Sequence, residues 1–90
     1  MNHKLKGRSV GLAAGGTAAI IHALWAVIVG IMPDVAQKLV NFDVALHFMG
    51  MPVTVQGFSW GGAAALVLFA FCVGYLIGRI FAAVYNSVAR

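Results

Sequence analysis

Two long apolar runs, separated by a shorter segment of mixed polarity, dominate the chain. The first extends from Val10 to Met32 and holds a single ionisable residue, His22. The second runs from Phe58 to Gly78 and continues past Arg79 to Tyr85. Each meets the roughly 20 residues that a helix needs to cross a hydrocarbon core of about 30 Å. Hydrocarbon offers the backbone no hydrogen-bond partner, so an isolated span must be helical, and two spans cannot close a barrel. The pattern predicts an all-α membrane protein, a two-span transmembrane helical hairpin forming one domain over residues 1–90. Span 1 covers 9–32, the connection 33–57 and span 2 58–85.

The connection has a pattern of its own. Val35, Leu39, Phe42, Leu46 and Met49 recur at steps of four and three, while Asp34, Lys38 and Asn41 fall on another face. This predicts an amphipathic helix lying in the membrane interface, with Pro33 suited to its first turn and Asp34 to the positive end of its dipole. Asn41 and Asp43 favour a break near Phe42. Gly50-Met51-Pro52 turns the chain, Val53-Thr54-Val55 reads as extended, and Ser59 is placed to cap the second span.

Composition supports the membrane reading: 62% of residues are hydrophobic, 9% are charged and the mean hydropathy is +0.96, too apolar for a soluble domain of 90 residues to bury in one core. The basic, then apolar N-terminus also resembles a signal peptide. That competing reading fails on length, because an h-region covers only about 7–15 residues before a small-x-small site. A retained signal anchor is expected instead.

Charge sets the expected orientation. Lys4, Lys6 and Arg8 precede the first span and Arg79 and Arg90 close the second, whereas the connection carries Lys38 against Asp34 and Asp43. The positive-inside rule places both termini in the cytoplasm. Phe58 and Trp60 then mark the outer interface, and Tyr75, Tyr85 and a snorkelling Arg79 the inner one. The net charge of +4 suits membrane lipid headgroups. It does not suit nucleic acid, since no basic face with interleaved aromatics lies outside the spans.

Small residues carry the strongest packing signal. Ala70, Gly74, Gly78 and Ala82 are spaced by four in the second span, and Gly11 and Gly15 begin a similar stripe in the first, extended by Ala19 and Ala23. Small residues at this spacing let helices approach closely, a main source of association in lipid. A further stripe, Ala14, Ala18, His22, Ala26 and Gly30, has Trp25 three residues beyond the histidine. One stripe is expected to close the hairpin and leave another for other transmembrane helices, in a homo-oligomer or a larger membrane complex.

His22 is expected first as a neutral side chain hydrogen-bonded to a neighbouring helix. Ligation is the second reading: small neighbours leave room for a macrocycle, and Ala18-x-x-x-His22 is similar to the spacing around histidines that ligate bacteriochlorophyll in single-span light-harvesting polypeptides. Haem iron can use the same imidazole, and proton transfer is a third use. His47, Met49 and Met51, with Cys72 in the second span, offer soft ligands of the kind copper(I) favours. Met49 is equally explained by the amphipathic face, and a lone Cys72 cannot form an intrachain disulfide. No adequate set of Cys and His for zinc exists. Asp34 and Asp43 are the only acidic side chains, and no catalytic triad, P-loop or dinucleotide fingerprint appears, so no enzyme is expected.

Taken in order, Ile21-His22-Ala23-Leu24-Trp25, Met32-Pro33-Asp34, Leu46-His47-Phe48, Pro52-Val53-Thr54 and the glycine-rich stretch from Gly74 to Tyr85-Asn86 resemble a family of small two-helix bacterial membrane proteins of unknown function. The resemblance covers residues 8–86. It implies a hairpin topology and a bacterial origin, hence the inner membrane, and brings no activity or functional residues. The function expected from the sequence is a non-enzymatic packing or accessory subunit. The alternatives are a metal- or tetrapyrrole-binding protein using His22, for copper handling or for ligation of haem or bacteriochlorophyll, and a holin-like pore former.

Overall fold

The computed structural model describes residues 4–89, which form three helices and no strand. These are α1 (Gly7–Ile31), α2 (Pro33–Leu46) and α3 (Trp60–Val88). At 1.5 Å per residue the 25 residues of α1 reach about 37 Å and the 29 of α3 about 43 Å. Both are long and apolar enough to cross a membrane.

One residue separates α1 from α2. Met32 leaves helical geometry at φ −132° and ψ 65°, because the residue before a proline is excluded from it. Its N–H still donates to the Ile28 carbonyl at 2.7 Å, and its own carbonyl accepts from Ala36 at 3.1 Å. Met32 thus caps one helix and opens the next, with Pro33 in the first turn, where its missing N–H costs nothing.

Helix α2 continues to Leu46 without the break expected near Phe42. The Asn41 carboxamide oxygen accepts from Gln37 Nε2 at 3.0 Å, so it does not compete with the backbone ladder. The helix ends in a Schellman motif: Phe48 donates to Ala45 O and Met49 to Val44 O, both at 3.1 Å. Phe48 takes the left-handed position at φ 60°, where glycine is usual, and its side chain is 98% exposed.

The face of α2 that turns inward is a second apolar row, distinct from the stripe expected to face the membrane interface. Ala36 is 0% exposed, and Val40 and Val44 are half-buried one and two turns on. Val35, Leu39, Phe42, Leu46 and Met49 all point outward. Gln37 then ties the return segment to α2, donating from Nε2 to Val53 O at 2.7 Å while its Oε1 accepts from Val55 N–H at 2.8 Å. A side-chain amide here bonds two backbone groups of the connection, fixing a stretch that forms no helix or strand.

The second long helix starts at Trp60, two residues later than expected. Ser59 is extended, at φ −142° and ψ 144°, and its Oγ accepts from Gly62 N–H at 3.0 Å as an N-cap. Phe58 lies outside the helix and meets Trp60 edge to face, centroids 5.2 Å apart. At its far end α3 runs on to Val88, beyond Tyr85.

Helices α1 and α3 pack antiparallel along one seam, and α2 packs on α1. The Cα extents are 51 × 31 × 16 Å. The buried residues of the three helices are alanines and glycines, and no large side chain is fully buried. Leu24, Ile31, Leu68, Phe69, Ile80 and Phe81 along the two long helices are exposed.

Candidate functional site

The seam is built from two matched rows at four-residue spacing. On α1 the row is Gly7, Gly11, Gly15; on α3 it is Arg79, Tyr75, Phe71 in the reverse direction. A β-carbon on Gly11 would lie 2.9 Å from the Tyr75 ring, one on Gly15 3.2 Å from the Phe71 ring, and one on Gly7 3.6 Å from the Arg79 guanidinium. Each large side chain fills the notch left by a glycine, ridge into groove.

Beside it runs a second pair of rows with almost no side chain. Gly74 faces Ala14, Gly15 and Ala18, and Gly78 faces Val10, Gly11 and Ala14. A β-carbon on Gly74 would lie 2.8 Å from the Ala14 carbonyl oxygen and 2.9 Å from the Ala18 methyl. Ala70 and Ala82 continue this stripe and are 6% and 1% exposed. Gly11, Gly15, Ala18, Gly74 and Gly78 therefore meet within one chain, and Ala14 and Ala18, read from the sequence as a separate stripe, belong to the same seam. The row of large side chains Phe71, Tyr75 and Arg79 was missed. Its signal was the spacing of four that matches the glycines opposite.

At the terminal end, Asn86 closes the hairpin. Its Oδ1 accepts from Leu5 N–H at 2.7 Å and its Nδ2 donates to Leu5 O at 2.8 Å. Arg79 Nη1 donates to the Tyr75 hydroxyl at 2.9 Å, with the guanidinium carbon 5.7 Å from the ring centroid.

Toward the other end the seam opens. A groove of about 680 Å³ lies between the last turns of α1 and the first turns of α3. Ala23, Ala26, Gly30, Ala63 and Ala64 give it a small-residue floor, and Phe58 and Trp60 stand among its lining residues. A smaller hollow of about 160 Å³ shares Ala26, Phe58 and Ala63 and includes Trp25 and Gln56.

His22 is half-buried on α1, one turn from Ala26. Its Nδ1 lies 2.7 Å from the Ala18 carbonyl oxygen of its own helix, and the expected bond to a neighbouring helix is not made within the hairpin. The reason is proximity: a helical side chain leans back over the preceding turn. A carbonyl can only accept, so this bond requires the proton on Nδ1. In the neutral ring, Nε2 then carries the free lone pair.

The soft-ligand group does not come together. His47 Nδ1 bonds locally to Asp43, 2.7 Å from its carbonyl and 3.3 Å from its Oδ1, while Met49 and Met51 are exposed in the connection. Cys72 is exposed on α3, about 18 Å of helix from Trp60. Among the described residues no three His, Cys, Asp or Glu side chains are grouped to hold a metal ion. A single ligand such as His22 suits only a cofactor that brings its own equatorial donors.

Comparison with known proteins finds no matching family model, curated protein or solved structure, so the resemblance to small two-helix bacterial membrane proteins gains no support from it.

Proposed function

We propose that this chain is a non-enzymatic integral membrane hairpin that packs against other transmembrane helices, in a homo-oligomer or as an accessory subunit of a larger membrane complex. The reading places α1 and α3 across a bacterial inner membrane with both termini cytoplasmic. The exposed Val35, Leu39, Phe42, Leu46 and Met49 face of α2 lies in the outer interface. The inverted distribution of side chains, small residues inside and large apolar ones outside, supports the bilayer as solvent, because lipid removes the penalty for exposing them.

The observation that carries the packing role is the half-open seam. Close packing of glycine and alanine is complete toward the termini, yet small residues of the same kind, Ala23, Ala26, Gly30, Ala63 and Ala64, line an unfilled groove toward the connection. In lipid, such surfaces gain contact energy by receiving another helix. Mass measurement of the chain extracted from native membranes in lipid nanodiscs tests the reading. An oligomer or a defined complex is expected; a lone monomer contradicts it.

A second reading has one specific observation in its favour. The Ala18 carbonyl holds His22 by Nδ1, the arrangement that orients a ligating imidazole and directs its Nε2 lone pair to a metal. A haem or bacteriochlorophyll bound there would give a visible absorption band and stoichiometric iron or magnesium in protein from native membranes. A colourless, metal-free preparation rejects it.

A further inference from the structure

Antiparallel packing brings the two basic ends of the chain together. Arg79 stands alone as a charged residue in α3, and the register lays its guanidinium against Gly7 of α1. The residues flanking Gly7 are Lys6 and Arg8, both exposed, as is Arg79. Lys6 and Arg8, neighbours of Gly7, and Arg79, more than seventy residues further along, thus lie at one level of the hairpin. No acidic side chain accompanies them, because Asp34 and Asp43 both lie in α2, beyond the opposite end of α1.

The arrangement is also partly preset. One guanidinium N–H is committed to the Tyr75 hydroxyl, and the group lies against the tyrosine ring. The remaining N–H groups keep the planar fork that matches a phosphate. The level is that of a headgroup: from Trp60 to Arg79, α3 rises about 28 Å, close to the thickness of a hydrocarbon core.

We propose that Lys6, Arg8 and Arg79 form a site for the phosphate of an anionic phospholipid headgroup. This rests on the membrane placement of α1 and α3 given above but not on the packing role. The clustered positive charge has no counter-charge among the acidic side chains, and an anionic lipid supplies one at the required depth. Each cation near an anionic surface contributes about fivefold in affinity at moderate salt.

The test uses the full chain in mild detergent, with native mass spectrometry of retained phosphatidylglycerol and phosphatidylcholine of identical acyl chains. Preferential retention of phosphatidylglycerol is expected. Arg79→Gln and Arg8→Gln should each lower the preference about fivefold, and Arg79→Lys, which keeps the charge but loses the fork, should lower it by less. Helical circular dichroism confirms that each variant is folded. Equal retention of the two lipids, or an unchanged preference in both folded glutamine variants, overturns the proposal. Displacement of the lipid by millimolar inorganic phosphate would overturn the assignment to a lipid. Insertion is read separately by resistance to alkaline extraction, so a chain that inserts without lipid preference loses this site alone.

Discussion

Gly78 and Val10 approach so closely that a β-carbon on the glycine would lie 2.6 Å from the valine carbonyl oxygen. Backbone cannot yield there as a side chain can. Gly78→Ala should force the helices apart and destabilise the hairpin by about 1–3 kcal/mol. Gly11→Ala, opposed by the movable Tyr75 ring and Arg79 stem, should cost less. Gly16→Ala meets nothing within 4 Å and should be neutral or stabilising by up to about 1 kcal/mol. Steric-trap unfolding in bicelles ranks the three, and a Gly78→Ala hairpin as stable as the original would contradict the seam described here.

Asn86 holds Leu5 through both amide atoms, a pairing only a carboxamide can make. Asn86→Leu removes both bonds, for a loss of about 1–3 kcal/mol at roughly 0.5–1.5 each. Asn86→Asp keeps an acceptor for Leu5 N–H and sets a carboxylate against Leu5 O. Hydrogen exchange at the Leu5 amide should be fastest in the leucine variant and intermediate in the aspartate. No change in either would mean that the N-terminal segment is held by something else.

Much of the fold was legible because two helices long and apolar enough to cross a membrane announce themselves by length and by near-absence of charge. Ser59 was legible as a cap from its place before the apolar run, and Met32-Pro33 as a helix boundary from the steric effect of proline. Three features were not. Asn41 and Asp43 suggested a break that does not occur, because a Gln37 side chain sixteen residues from its Val53 partner satisfies Asn41 as well. The packing face of α2, Ala36, Val40 and Val44, is a second apolar row beside the stripe that the periodicity picks out, and the polarity pattern does not mark it as a contact. His22 looked like a contact across the interface. Its preference for the carbonyl four residues earlier is a rotamer property that polarity patterns do not carry.

Phe48 occupies a left-handed position that suits glycine, at φ 60° and with its ring out in the open. Phe48→Gly should stabilise the end of α2 by about 1–2 kcal/mol, since the penalty for a side chain in this conformation disappears and the ring makes little contact to lose. Slower hydrogen exchange at the Phe48 and Met49 amides, which close the Schellman motif, is the expected result. Faster exchange would show that the ring holds the turn through contacts outside this chain.

The central claim is that the open half of the α1–α3 seam receives another membrane helix, and site-directed disulfide crosslinking in native membranes tests it most directly. In a Cys72→Ser background, Ala64→Cys places a thiol on the groove and Ile20→Cys places one on the outward face of α1. Oxidation should join Ala64→Cys to a second copy carrying the same change, or bismaleimide addition should couple it to a thiol of a partner of fixed mass, while Ile20→Cys stays monomeric. Monomer at both positions, or equal and indiscriminate crosslinking at both, would contradict the account.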